Sequence, residues 1–155
     1  MKSYHIEFYQ NIPVNLKQAW DFFSSPLNLQ KITPSDMRFK VTSPIKENQK
    51  MYPGMIITYK ISPISGLRLN WMTEITHMKE ESYFIDEQRF GPYKFWHHQH
   101  HFKPIDGGII MHDILTYSLP LGILGQIANS VFVANKLQQI FIYRKEKIKE
   151  LFGEL

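Results

Sequence analysis

From Met37 to Leu119 the chain is a succession of β-rich runs, and after Pro120 and Gly122 it turns helical as far as about Phe152. The runs are separated at Pro44, Pro53-Gly54, Ser65-Gly66, Gly91-Pro92 and Asp106-Gly107, the punctuation of an antiparallel meander. Six strands are expected, at roughly 38–43, 54–61, 67–78, 82–89, 93–104 and 109–119. The closing helix carries Ile127, Val131, Ala134, Leu137, Phe141, Ile148 and Leu151 as a broad apolar stripe. A sheet and a helix each have one apolar side to cover, so this order constrains the fold more than any other feature.

Ahead of the meander, Ile6 and Phe8 alternate with Glu7 and Tyr9, which predicts a further half-buried strand over residues 4–12. Asn15, with Gln18 three positions on, forms a capping box ahead of Leu16, Ala19, Trp20 and Phe23 at helical spacing. Ser25-Pro26 starts a second short helix that Pro34 prevents from running on. The result is an α+β architecture, seven strands in a curved antiparallel sheet wrapped around one long C-terminal helix. Residues 1–155 form a single domain of a size that buries a core without staples. Trp20, Trp71, Phe84, Trp96 and Phe102 cannot all pack tightly on one helix, which predicts an internal pocket for an apolar small molecule.

Composition removes several classes. With 43% hydrophobic and 21% charged residues the chain is not disordered. It has no cysteine, which excludes disulfides, thiolate metal sites and a cysteine nucleophile, and makes the cytoplasm the default location. The opening MKSYHIEFYQ lacks the apolar run of a signal peptide. The longest apolar region, Leu119 to Ile142, is interrupted by Gln126, Asn129, Asn135, Lys136, Gln138 and Gln139, so no transmembrane segment is expected. The net charge of +4 is scattered, and the aromatic residues follow core periodicity, so nucleic acid is not an expected partner. No phosphate-binding loop is present: Gly107-Gly108 lies in a hairpin, and Gly122 and Gly125 lack the lysine.

The pattern at Trp71, Phe84-x-Asp86, Gly91-Pro92, Trp96-x-His98-x-His100-x-Phe102, Asp113 and Leu119-Pro120-Leu121-Gly122 resembles the bacterial stand-alone members of the START-like superfamily, also called SRPBCC or Bet v 1-like. The resemblance covers nearly the whole chain, and extends to polyketide cyclase/dehydrase-like and coenzyme Q-binding proteins. It implies the helix-grip fold and a pocket for a lipid, quinone or aromatic metabolite; no cofactor is expected. It does not choose the ligand or decide on catalysis.

The hairpin from Phe95 to Tyr117 sets the candidate site. Asp106-Gly107 reads as a two-residue type I′ loop, which makes Ile105 face Gly108. Counting outward, Phe102 opposes Met111, His100 opposes Asp113, His98 opposes Leu115 and Trp96 opposes Tyr117, all eight on one face. With Trp71 and Asp86 these are the ten candidate ligand-binding residues. Opposed β-carbons about 4.5–5.5 Å apart let Asp113 hold a proton of His100. His100 with Asp113 is therefore a ligand anchor, a self-satisfied core pair, or a general base in a cyclase, dehydratase or hydrolase.

His97 and His101 fall on the other face with Gln99 and Lys103, so the histidines cannot all meet one ion. A metal site from His98, His100 and Asp113 would match two-histidine, one-carboxylate iron centres, but the resemblance supports no metal. Asp86 and Gln88 share a face with Phe84, and Glu74 lies nearby, so either reaches the pocket or a rim salt bridge. The segment Leu119 to Val133, with Ile123 and Leu124, is where a pocket mouth, a homodimer contact or a peripheral membrane contact would form, and where a protein-interaction module would show an apolar patch.

Overall fold

The computed structural model describes residues 2–64 and 66–155. Seven strands form one antiparallel sheet: β1 (Tyr4–Ile12), β2 (Lys40–Val41), β3 (Ile56–Ile64), β4 (Leu67–Lys79), β5 (Tyr83–Phe90), β6 (Phe95–Ile105) and β7 (Gly108–Ser118). Their spatial order is β1-β7-β6-β5-β4-β3-β2, so β1 closes against the last strand and the rest follow the chain. The Ser65-Gly66 turn expected between β3 and β4 includes Ser65, which lies outside the described residues.

Helix α1 (Leu16–Phe23) begins on the expected capping box, with Asn15 and Gln18 bonded reciprocally to each other's backbone N–H. Such a cap is worth about 1 kcal/mol. It buries Ala19, Trp20 and Phe23 beneath the sheet, where Trp20 meets Phe84 and Phe102 edge to face. The second short helix is a 3₁₀ segment, Pro26–Ile32, followed by another at Ser35–Met37. Between Pro26 and Pro34 there is too little chain for an α-ladder to establish.

Strand β2 is shorter than expected. Thr42 and Ser43 both donate to the carbonyl of Thr58, so the ladder converges on one acceptor and ends. Curvature comes from irregular pairing, with register shifts between Ile61 and Ile64 against β4, and between Met72 and Thr73 and between Ile75 and His77 against β5. Each shift bends the bulged strand and increases its twist, and together they turn the β3–β5 half over the helix.

The closing helix runs through residues 123–152 as α2 (Ile123–Ala128), a π-turn (Asn129–Val133) and α3 (Ala134–Phe152). The expected stripe holds only in its middle. Leu137, Phe141 and Ile148 are buried, while Ile127, Val131 and Leu151 are exposed. The wider turn rotates the face presented to the sheet, so that Asn129 is buried where continuous α-periodicity would place its apolar neighbours.

Candidate functional site

The β6–β7 register is the one that a two-residue loop dictates: Ile105 faces Gly108, Phe102 faces Met111, His100 faces Asp113, His98 faces Leu115 and Trp96 faces Tyr117. The turn itself differs from the expected type I′. Gly107 has φ 80°, but Asp106 is not among the positive-φ residues, and type I′ requires both. Pairing survives because loop length, not turn type, sets the count.

Between the curved sheet and α3 lies a cavity of about 490 Å³. Its walls are almost wholly apolar, and six of the ten candidate residues line it: Trp71, Asp86, Trp96, His98, His100 and Met111. The other four stand behind or beside it. Phe102 is packed under α1 against Trp20 and Phe23. Leu115 and Tyr117 belong to the cluster covered by Leu137 and Phe141. Asp113 sits beneath the two histidines. Parity places all of them on the concave face, but the helices cover part of that face and leave only the rest hollow.

Three buried groups, His98, His100 and Asp113, and the partly buried Asp86 converge at the wall. His100 has a carboxylate at each ring nitrogen: Asp86 Oδ2 is 2.8 Å from Nε2, and Asp113 Oδ1 is 2.7 Å from Nδ1. His98 lies between the same acids, with Nε2 3.3 Å from Asp113 Oδ1 and Nδ1 3.6 Å from Asp86 Oδ2. The Asp113 contacts are close but out of line with the ring N–H directions, so they act through charge more than as aligned hydrogen bonds. Trp96 Nε1 donates to the other Asp86 oxygen at 3.3 Å, and the Phe84 ring stacks on His100 at 4.2 Å.

The environment separates the two imidazoles. Burial alone would push His100 down, but the Asp113 and Asp86 carboxylates outweigh it and raise its pKa, favouring an imidazolium. Burial pushes His98 down, and the neighbouring His100 adds to that effect. For both acids burial works upward and is outweighed by the histidines, chiefly His100. Asp86 is held below its ordinary value, and Asp113 well below the usual carboxylate range. Because both His100 nitrogens face carboxylates, neither is free to take a proton from a substrate in this arrangement.

Asp86, whose facing the sequence left open, points into the cavity. It opposes His98 in register, and its carboxylate leans diagonally to His100. Gln88 instead clamps the Gly91-Pro92 turn, donating to Tyr93 O at 2.6 Å and accepting from Tyr93 N at 3.2 Å. Glu74 pairs with Arg89 at 2.6 Å on the outer face. His97 and His101 also point outward, to Glu87 and Gln99.

Sequence reasoning missed three polar features of the wall. Tyr59 and Trp71 both bond the Thr73 hydroxyl, at 2.8 and 3.1 Å. Tyr93 packs against Trp71 and Trp96. Arg144 lines the cavity with its guanidinium 5.1 Å from the Phe141 ring centre, and its buried Nε has no hydrogen-bond partner. Only Arg144 carried a usable signal, a cation three positions after Phe141 on the apolar stripe. Ile64, Leu67, Leu121 and Leu124 both line the cavity and are strongly exposed, so they mark its mouth.

A curved seven-stranded antiparallel sheet closed over a C-terminal helix, with a hollow between them, is the Bet v 1-like helix-grip fold. The chain matches protein CV1439 from Chromobacterium violaceum at TM-score 0.72, with 12% identity over 97% of this chain and 99% of that one. It matches major latex-like protein 151 from Panax ginseng at TM-score 0.69, with 14% identity and 97% of each chain covered. Ara h 8.0201 matches at TM-score 0.61, with 15% identity over 96% of this chain and 99% of that one. No family model matches the chain, and no curated protein matches it by sequence. No helix among the described residues is long and apolar enough to cross a membrane.

Proposed function

We propose that this chain binds a hydrophobic small molecule, a lipid, quinone or aromatic metabolite, in the cavity between sheet and helix. The observation that carries the reading is the cavity itself. Its volume of about 490 Å³ falls within the range of small-molecule sites, and its apolar walls carry a few convergent polar groups. The ligand-contacting wall comprises Trp71, Asp86, Trp96, His98, His100 and Met111, and Asp113 holds the histidines from behind. Arg144, the cavity-facing cation with no ion pair among the described residues, meets the acidic end of an amphipathic ligand. The exposed Leu121 and Leu124 form the port, and that apolar rim is where a membrane or a second copy would transfer cargo. Carriage rather than turnover suits His100, whose nitrogens are both occupied by acids.

Trp71 and Trp96 in the wall provide the readout. A ten-carbon fatty acid is expected to change tryptophan fluorescence saturably and to bind more tightly than the alcohol of equal length. Ile140→Trp, which fills the cavity from α3, is expected to abolish the response while the fold persists by circular dichroism. No saturable binding by acid or alcohol, together with no hydrophobic molecule retained in native mass spectra, would overturn the reading. Equal affinity for acid and alcohol would remove Arg144 from it.

A further inference from the structure

The four-residue cluster at the cavity wall has the layout of a coordination site. One ring nitrogen each from His98 and His100 and a carboxylate oxygen of Asp86 lie within 4.8 Å of one another. Asp86 Oδ2 is 2.8 Å from His100 Nε2 and 3.6 Å from His98 Nδ1. Donors bonded to one ion at about 2.0–2.2 Å sit about 2.8–3.6 Å apart at right to tetrahedral angles. The two observed separations lie at the ends of that range, so small side-chain shifts would seat an ion.

The groups behind the donors fit the same reading. Asp113 Oδ1 faces the opposite nitrogens, His100 Nδ1 at 2.7 Å and His98 Nε2 at 3.3 Å. A carboxylate behind a ligating imidazole is the usual support for a histidine metal ligand, and here the Asp113 charge raises the basicity of both rings. His98 Nε2, His100 Nδ1 and Asp113 Oδ1 are buried without an aligned hydrogen bond, so the protein alone leaves this support unsatisfied.

Charge balance points the same way. Two carboxylates stand in an apolar wall, and a single proton on one imidazole balances only one of them. Protonating both rings would place two cations at a ring separation of 3.9 Å. A divalent ion balances both acids and leaves both imidazoles neutral. Lys136 is already paired with Asp36, and Arg144 makes no ion pair with either acid among the described residues.

We propose that Asp86, His98 and His100 bind one divalent first-row metal ion such as zinc or iron(II) at the cavity wall, with Asp113 as the positioning carboxylate behind both histidines. The nitrogen and oxygen donors select such an ion over calcium or magnesium. Three protein donors leave coordination positions open toward the cavity, where water or an oxygen of a bound molecule completes the set. The inference goes beyond the cavity reading and does not need its organic occupant.

The test uses metal alone. Purified chain, stripped with chelator, is dialysed against zinc and assayed by elemental mass spectrometry, with cobalt(II) as the spectroscopic probe. One ion per chain is expected. Asp86→Asn and His98→Gln are each expected to weaken it at least tenfold, and Asp113→Asn by about 10- to 100-fold. His112→Gln is the control, because His112 and His5 flank Glu7 on the exterior at 2.9 and 3.0 Å. It is expected to change nothing. If the wall variants fail to fold, wild-type NMR decides: cobalt(II) must broaden the His98 and His100 ring signals and spare those of His5 and His112. No stoichiometric uptake, or uptake lost in His112→Gln and retained in the wall variants, overturns the proposal. Either failure leaves fatty-acid binding by the cavity unaffected, so the two readings fall separately.

Discussion

Tyr117 donates its hydroxyl to Asn129 Oδ1 at 2.7 Å, tying the last strand to the π-turn of the closing helix. Both residues are buried, and the Tyr117 ring stacks on Tyr4 at 5.3 Å. Tyr117→Phe keeps the ring and leaves the Asn129 oxygen without its donor, which is expected to cost about 1–3 kcal/mol. Denaturant unfolding reads the loss, and hydrogen exchange is expected to quicken around residues 123–133. Unchanged stability and exchange would mean that the bond does not hold the helix in place.

The buried charge cluster makes His100 expensive to remove. His100→Ala leaves Asp86 and Asp113 facing each other across a gap without their shared cation, and breaking a buried pair in this way costs about 3–5 kcal/mol. The double variant His100→Ala with Asp113→Asn is expected to recover part of that loss, since one stranded charge is gone. A single variant as stable as wild type by chemical denaturation would show that water or rearrangement already satisfies the acids.

Gly125 lies where the helix meets the cavity mouth, and a Cβ there would stand 2.1 Å from the carbonyl oxygen of Pro120. Backbone cannot yield as a side-chain tip can. Gly125→Ala is expected to push the Leu119–Gly122 segment outward, lowering stability by about 1–3 kcal/mol and speeding ligand exchange through the port. Stopped-flow release of a fatty acid and thermal melting measure the two effects. A variant that melts and releases as wild type does would contradict the close approach.

Glu7 tests the electrostatics of the outer face. Hydrogen bonds from His5, then Tyr9 and His112, pull its carboxyl down to about 2. A depressed carboxylate contributes stability that is fully present above its unfolded pKa, near 4.3, and is lost as pH falls toward about 2. NMR titration of the Glu7 carboxyl is expected to show this low midpoint, with Tyr9→Phe moving it part of the way back. A midpoint in the ordinary range near 4 would dismiss the cluster as a crowd of independent exposed groups.

The extent to which the site was legible differs from residue to residue. His98 and His100 could be assigned to one face, opposite Leu115 and Asp113, because side-chain direction alternates along a strand and a two-residue loop leaves one count across the hairpin. The same argument sent His97 and His101 outward. Asp86 could not be placed in this way, since the longer turn at Gly91-Pro92 and the pairing shifts in β4 and β5 break the count. Tyr93, Tyr59 and Arg144 reach the cavity from a turn, from the far side of the sheet and from the helix, and no local pattern relates those positions.

By itself the sequence determined the order of seven strands and a closing helix, the strand faces and the pairing of the final hairpin, because each follows from periodicities and loop lengths that act over a few residues. Only the tertiary structure decided that Asp86 joins the two histidines, that Arg144 enters the hollow, and that the concave face is packed at one end and empty at the other. Those outcomes depend on how far the bulged strands bend and where the π-turn sets the helix. Both are balances of packing between segments far apart in the chain.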